Sequence, residues 1–218
     1  MSGIETSRSE LQSVGQKMVN LGLAWGNAGN ISARTSSQHF LITATGTRLG
    51  ELADDDFAEC SLQGDVTGER KPSKEVPMHR AVYEMRPEIN VVLHASPFYS
   101  TLIACSKVDI PSNWFIEAMY YLERIERVPY SHPGSQALGI GVREKAAKAN
   151  VLLLENHGVL VYDTTVSEAL MALQTLEYTC RMFVTARSAQ MELEALSPDI
   201  AHDFLNNAGY KPRRQWQE

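Results

Sequence analysis

A single histidine, His94, follows the branched apolar residues Val91–Leu93, and its position raises the question of a metal site. The run predicts a buried strand, so His94 lies at the end of that strand. Side chains two residues apart share one face of a strand, and a partner ligand is therefore expected at position 96. That position holds Ser96. The stretch looks like half of a metal site.

A second histidine, His157, lies between the apolar runs at 151–154 and 159–162. Asn156 and Gly158 flank it, so it could also be an ordinary turn residue. An imidazole left unpaired at the end of an apolar strand is costly, however, and a metal ion would satisfy it. His94 and His157 are therefore candidate metal ligands.

Short polar loops supply a second group of candidates, all of them neutral or cationic donors. They are Asn30, Thr45, Gly46, Ser73 and Lys74. Such donors suit a phosphate held by amides, hydroxyls and one ammonium group. Glu75 lies beside them, where a phosphate would repel its carboxylate unless that group has another role. Each loop by itself could equally be a simple turn.

The elements that must position these residues alternate between helix and strand. Strands are predicted at 39–44, 90–95, 151–156 and 159–163, and helices near 9–24, 78–86, 96–106 and 166–188. Ser9 and Ser96 are the predicted N-caps of two of these helices. The two strands around His157 are joined by so few residues that they must pair antiparallel. The prediction is an α/β fold, a three-layer α/β/α sandwich around a mixed, mostly antiparallel sheet.

The composition is that of an ordinary globular protein, with 218 residues, 44% of them hydrophobic, and a net charge of −6. The charge argues against nucleic acid as a partner. Three cysteines without a CxxC pair indicate a reducing compartment. With neither a signal peptide nor a membrane-length apolar run, no membrane partner and a cytoplasmic location are expected. One domain is predicted over 1–218, with 190–218 as a C-terminal extension.

Five motifs occur in a fixed order over about residues 10–190: GNAGNIS, TATG, PSKE, VVLHAS and ENHG. This order resembles the class II aldolase/adducin family, which includes fuculose-phosphate aldolases and an oxo-tetronate phosphate decarboxylase. The resemblance implies the α/β/α fold and one divalent metal ion per subunit, most often Zn²⁺. It also implies a small phosphorylated sugar or sugar acid as substrate, and a homotetramer with its active sites between subunits.

The resemblance also implies roles for individual residues. Glu75 matches the catalytic acid/base, and His94 and His157 match two of three histidine ligands. Lys74 stands where sugar-phosphate aldolases often have a second serine, and a lysine there is more similar to the decarboxylase branch. The implied phosphate contacts are Asn30, Thr45, Gly46 and Ser73.

Ser96 departs from the family's His-x-His pattern, and a serine hydroxyl is a poor ligand for zinc. Three explanations are open, in order of preference. His132, in the loop VPYSHPGS, could supply the third imidazole. Alternatively, Glu75 or water could complete an oxygen-richer site suited to Mn²⁺ or Mg²⁺. In the third explanation the site is degenerate.

The leading hypothesis is metal-dependent aldol cleavage of a phosphorylated ketose to dihydroxyacetone phosphate and an aldehyde. The metal would act as a Lewis acid and Glu75 would transfer a proton. Decarboxylation of a phosphorylated 3-oxo sugar acid, of the 3-oxo-tetronate 4-phosphate type, is a close alternative. A non-catalytic, adducin-like interaction domain is the rival from another class. His79, one helical turn after Glu75, either orients that carboxylate or is an ordinary partly buried histidine, and the second interpretation is slightly preferred.

Overall fold

One eight-stranded sheet forms the centre of the computed structural model, which describes residues 3–214 and residue 216. The strands are β1 (Asn30–Arg34), β2 (His39–Thr43), β3 (Phe57–Ser61), β4 (Val66–Thr67), β5 (Val91–Ala95), β6 (Ile125–Val128), β7 (Val151–Leu154) and β8 (Gly158–Asp163). Their order across the sheet is β4-β3-β2-β1-β5-β8-β7-β6. Within the described residues every neighbouring pair is antiparallel except β6 with β7. The predicted mixed, mostly antiparallel sheet is confirmed.

Helices cover both faces of this sheet. They are α1 (Gly3–Asn20), α2 (Val76–Met85), α3 (Phe98–Ala104), α4 (Ile116–Tyr121), α5 (Gln136–Ala146), α6 (Val166–Ser188) and α7 (Pro198–Asn207), with a 3-10 turn at Leu49–Glu51. Buried residues of α1, α3, α4 and α6 form one hydrophobic cluster with the sheet, and those of α2 and α5 form a second. The predicted three-layer sandwich is therefore confirmed.

The alternation of side chains along β5 determines on which face of the sheet the His94 side chain lies. Val91 and Leu93 belong to the cluster under α1 and α6, whereas Val92 belongs to the cluster under α2 and α5. Because the side-chain period of a strand is two residues, His94 points to the same side as Val92. This is the side on which α2 begins, directly after Glu75.

Two predicted helix starts are wrong. Helix α1 begins at Gly3, so Ser9 lies inside it rather than at its N-cap. Helix α3 follows Pro97, whose backbone is extended and which provides no side-chain cap. The Ser96 hydroxyl instead donates to the backbone carbonyl of His157 at 3.2 Å. At the start of α3, a tertiary contact of Ser96 has therefore replaced the predicted N-cap interaction.

The C-terminal segment packs back onto the body of the fold. Partly buried Phe204 and Leu205 of α7 lie against the α1/α6 cluster. After α7, Arg214 forms an ion pair of 2.7 Å with Asp163, the last residue of β8. Among the described residues, the helices lack the combination of length and apolar character needed to cross a bilayer.

Candidate metal centre

His94 occupies the middle of the sheet, because β5 lies between β1 and β8. Its Nδ1 atom lies 3.0 Å from the carbonyl oxygen of Val159. A carbonyl can only accept, so Nδ1 carries the proton and Nε2 presents a lone pair. Burial lowers the pKa of His94, which favours this neutral form. A neutral imidazole fixed through its other nitrogen is the usual state of a histidine metal ligand.

The tight β7–β8 turn brings His157 to the same place. Asn156 has a left-handed φ of 55°, and a Cβ at Gly158 would lie 2.6 Å from the carbonyl oxygen of Ala95. Only glycine therefore allows the turn to approach the end of β5 so closely. As a result, the rings of His94 and His157 are 4.7 Å apart between centroids.

Glu75 completes the group from the N-cap position of α2. Its Oε2 atom lies 3.3 Å from Nε2 of His94, and its Oε1 atom lies 3.1 Å from Nε2 of His157. The side-chain amide of Asn30 donates to Oε2 at 2.6 Å. Burial would raise the pKa of Glu75, but His157, His94 and Asn30 outweigh it and lower the pKa to about 2. The carboxylate is thus ionised at neutral pH.

The donor set fits a divalent cation. Nε2 of His94 and Oε2 of Glu75 are both hydrogen-bond acceptors, and they face each other. This arrangement is unfavourable unless a positive charge lies between them. Within the described residues, Oε1 of Glu75 and Nδ1 of His157 are buried without a hydrogen-bond partner. Ligand atoms about 2.0–2.1 Å from a tetrahedral zinc ion are about 3.3–3.4 Å apart, close to the two separations seen here. Glu75, His94 and His157 could therefore hold a metal ion.

The structure places neither Ser96 nor His132 in this group. The Ser96 hydroxyl is directed to the carbonyl of His157, and its own carbonyl accepts from the indole of Trp25 at 3.1 Å. His132 is exposed, with Nδ1 3.1 Å from the hydroxyl of Tyr130. Its loop nevertheless adjoins the site, since a Cβ at Gly134 would lie 2.7 Å from the carbonyl oxygen of Lys74.

The phosphate candidates occupy two loops that are hydrogen-bonded to each other. The amide of Thr45 donates to Lys71, and the amide of Ser73 donates to Thr43. The Thr45 hydroxyl donates to the Pro72 carbonyl at 2.7 Å, and Gly46 is exposed with a φ of +85°. Next to them, Lys74 is exposed and a cleft of about 560 Å³ borders Gly46. These loops form one polar surface beside Glu75.

Asn30 differs from the other phosphate candidates because its side chain is buried. It is 7% exposed, and its two amide atoms contact Glu75 and His79. Behind His79 lie Ser32 and Tyr83, two polar residues that were not among the predicted site residues. Their spacing carried a signal, because Ser32 shares a strand face with Asn30 and Tyr83 lies one helical turn after His79.

This fold and site agree with comparisons to known proteins. Residues 9–184 match the family model described as Class II Aldolase and Adducin N-terminal domain. The chain belongs to this family. The family resemblance expected from the five motifs is thereby confirmed.

Relatives and solved structures add detail to this membership. The 3-oxo-tetronate 4-phosphate decarboxylase of Haemophilus influenzae is 31% identical over 82% of this chain and 87% of its own length. The 5-deoxy-D-ribulose 1-phosphate aldolase of Bacillus thuringiensis is 28% identical over 85% of this chain and 87% of its own. The crystal structure of YgbL from Klebsiella pneumoniae matches with a TM-score of 0.85, at 29% identity, over 94% of this chain and 99% of that one.

Proposed function

We propose that this chain is a metal-dependent lyase that breaks a carbon–carbon bond in a small phosphorylated sugar or sugar acid. The observation that carries the proposal is the convergence of Glu75, His94 and His157 beside a polar loop surface. Relatives of both reaction types, a decarboxylase and an aldolase, support the shared chemistry.

Glu75, His94 and His157 would hold the divalent cation. Two histidines and one glutamate are a donor set found in catalytic zinc sites, so Zn²⁺ is proposed first and Mn²⁺ second. When bound, the cation supplies Lewis-acid stabilisation of the negative charge that develops as the bond breaks. We assign the third ligand position to Glu75 rather than to His132, because Glu75 lies within the cluster and His132 does not.

Glu75 is also the proposed proton carrier. Its lowered pKa of about 2 keeps it ionised, the state that both ligation and proton abstraction require. Oε2 is held by Asn30, which leaves Oε1 as the atom that exchanges a proton with substrate. We assign Asn30 to holding this carboxylate, although the family resemblance suggests a phosphate contact.

The polar loops would bind the substrate's anionic groups. Gly46 offers a backbone amide, and Thr45 and Ser73 offer hydroxyls that can reorient to donate. Lys74, exposed between Ser73 and Glu75, adds a cation at the same surface. Holding the phosphate there would fix the register of the reacting bond over the metal centre.

Lys74 favours decarboxylation over aldol cleavage. A phosphorylated 3-oxo sugar acid carries a carboxylate in addition to its phosphate, and a second anion gains from an ammonium group beside the site. The Haemophilus decarboxylase at 31% identity supports this order, which reverses the preference drawn from the sequence. Aldol cleavage is the second candidate, supported by the L-fuculose 1-phosphate aldolase structure at TM-score 0.84 and 25% identity over 91% of this chain and 94% of that one.

A product assay tests the reaction type. Purified protein with added Zn²⁺ or Mn²⁺ is given a phosphorylated 3-oxo acid of four carbons and, separately, a ketose 1-phosphate. Carbon dioxide release without aldehyde is expected, and aldehyde with dihydroxyacetone phosphate would support the aldolase instead. Activity with neither substrate class, together with no effect of a chelator, would favour the adducin-like interaction domain.

Metal analysis tests the centre itself. His94→Ala and His157→Ala should each abolish metal retention after gel filtration, whereas His132→Ala should retain the ion. Loss of metal in His132→Ala would return the third-ligand role to that residue. A substitution at the exposed His202 provides a matched control.

A homotetramer with sites between subunits and a cytoplasmic location stay predictions. Two exposed apolar side chains close to the site support a covering subunit: Trp25 is 64% exposed and Phe98 is 70% exposed. Sedimentation of the purified chain would measure the assembly.

A further inference from the structure

We propose that His79 is a positioning residue that acts through Asn30 to fix the orientation of the Glu75 carboxylate. The proposal rests on the proposed function of Glu75. It goes beyond that function by giving a role to a residue that is neither a proposed metal ligand nor part of the polar loops. The observation behind it is a buried chain of hydrogen bonds that runs from the core to the carboxylate.

Five side chains form this buried chain, which we call the polar relay. Tyr83 lies 2.8 Å from Ser32, Ser32 lies 2.7 Å from Nδ1 of His79, and Nε2 of His79 lies 2.6 Å from Oδ1 of Asn30. The amide nitrogen of Asn30 then lies 2.6 Å from Oε2 of Glu75. All five side chains are buried.

The direction of every hydrogen bond in the polar relay follows from its end at Glu75. An ionised carboxylate cannot donate, so the NH₂ group of Asn30 must face it and Oδ1 must face His79. Nε2 of His79 therefore carries a proton. Complete burial lowers the pKa of His79 to about 3, so the ring is neutral and its Nδ1 accepts.

The remaining two bonds are then determined. Ser32 donates its hydroxyl proton to Nδ1 of His79, and its oxygen accepts from the phenol of Tyr83. Burial raises the pKa of Tyr83, which keeps that phenol protonated and able to donate. One arrangement of protons satisfies all four contacts.

His79 matters because an amide has two nearly isosteric ends. Without the N–H of His79, the Asn30 side chain could rotate and place its oxygen toward the carboxylate, which would repel it. The N–H of His79 holds Oδ1 and makes the rotated form costly, since a buried donor would lose its partner. His79 thus fixes which end of Asn30 meets Glu75, and so fixes Oε2 while Oε1 faces His157.

The first experiment records histidine ¹⁵N–¹H correlations on the full-length protein after metal removal. The polar relay requires the Nε2–H tautomer of His79, unchanged from about pH 5 to about pH 8. A Nδ1–H tautomer, or an imidazolium in that range, would overturn the proposal. This result does not depend on any enzymatic activity.

The second experiment compares two substitutions of His79. In His79→Gln the side-chain amide nitrogen replaces Nε2 as a donor, whereas His79→Leu removes the donor. We expect His79→Leu to lower kcat or metal affinity by about 10- to 100-fold, with His79→Gln recovering most of the loss. Equal losses in both variants would overturn the proposal. Thermal unfolding checks that each variant is folded. If His79→Leu does not fold, the tautomer measurement on the wild-type protein still tests the proposal.

A double-mutant cycle tests whether the effect passes through Asn30. If it does, adding His79→Leu to Asn30→Ala should change metal affinity by less than about 2-fold beyond Asn30→Ala alone. Additive losses would show that His79 acts by another route and would overturn the proposal. Tyr83→Phe should shift the His79 ¹⁵N signal, and Tyr162→Phe, an equally buried tyrosine outside the polar relay, should not.

These tests separate this proposal from the proposed function. An Nε2–H tautomer with coupled metal affinities, in a protein that cleaves none of the substrates, supports the polar relay and contradicts the lyase. Cleavage activity with a Nδ1–H tautomer contradicts the polar relay and leaves the lyase in place.

Discussion

Burial favours the neutral form of His79 and of His94 near the candidate metal centre. His79 is fully buried and neutral, and the pKa of His94 is also lowered by burial. His157 lies closer to the surface, with its side chain 14% exposed. Buried histidines that must stay neutral make the folded state sensitive to acid.

The free energy of unfolding should therefore decrease as the pH is lowered, because of His79. Its pKa is about 3 in the folded protein and near 6.5 when unfolded, so below pH 6.5 the unfolded chain takes up a proton that the folded chain does not. The free energy of unfolding should decrease by at most about 1.4 kcal/mol per pH unit between these two values. In His79→Gln that contribution is absent. The free energy of unfolding, measured with urea at several pH values, should therefore depend less on pH below about pH 6.5. The matched control His202→Gln, at an exposed site, should keep the wild-type slope.

Ser96 offers a way to change the metal preference. It lies two residues after His94, where an extended chain returns to the same side, so Ser96→His is expected to add an imidazole at the third position. Zinc affinity should rise by at least about 10-fold relative to manganese, because nitrogen ligands favour zinc. Competition titration measures both affinities, with Ser96→Ala as the control for the lost bond to the His157 carbonyl. An unchanged ratio would mean that the side chain at position 96 does not reach the cluster.

The sequence predicted the histidine pair but not what supports Glu75. His94 and His157 could be paired because each adjoins an apolar strand, where an unpaired imidazole is costly, and because both match ligands in the family's motifs. The contact of Asn30 with Glu75 spans 45 positions, and its strength depends on burial that no local pattern reveals. His132 looked suitable by residue type, but the path of its loop leaves it exposed.

At the scale of elements, helix α3 depends on a neighbouring helix for its cap. Pro97 offers no side-chain oxygen, and Glu177 of α6 accepts from the amides of Tyr99 at 2.9 Å and Ser100 at 2.8 Å. It also accepts from the Ser100 hydroxyl at 2.6 Å. A carboxylate at a helix N-terminus satisfies unpaired amides and complements the helix dipole.

Removing this cap should loosen the start of α3. Glu177→Ala should lower the free energy of unfolding by about 1–3 kcal/mol, because two amides and one hydroxyl lose their acceptor. Glu177→Gln keeps one oxygen and should lose less. Chemical denaturation measures both, and hydrogen exchange at Tyr99 and Ser100 should accelerate in the alanine variant. Unchanged exchange at these two amides would contradict the capping role.

The elements themselves were largely predictable from periodicity. The β7–β8 hairpin followed from its short connection, and α6 occupies the predicted residues 166–188. The starts of α1 and α3 were not predictable from local sequence. Helix α1 continues through Ser9, and the cap of α3 is Glu177, which is distant in sequence. Distant residues can satisfy a helix end as well as adjacent ones.

At the scale of the whole molecule, the C-terminal segment packs against the sheet and the helices. The side chains of Arg214 and Asp163 are 9% and 8% exposed, and Arg214 also donates to the carbonyl of Tyr120 on α4. Lys211 forms a second ion pair with Glu168 on α6. These contacts join residues 208–214 to both the sheet and the helical layer.

Breaking the buried pair should be costly. Arg214→Ala leaves Asp163 buried without its cation, and we expect a loss of about 3–5 kcal/mol in the free energy of unfolding. Lys107→Ala, in an exposed pair with Glu155, should cost less than about 1 kcal/mol. Urea denaturation compares the two, and similar losses would contradict a structural role for the C-terminal segment.

The place of β5 in the sheet has a kinetic consequence for the candidate metal centre. His94 is enclosed between β1 and β8, and strands in the middle of a sheet are among the last to open in native-state fluctuations. An ion bound by His94 should therefore exchange slowly, at a rate limited by opening of the central strands. Radiolabelled metal should leave the protein at a rate similar to amide exchange at Leu93.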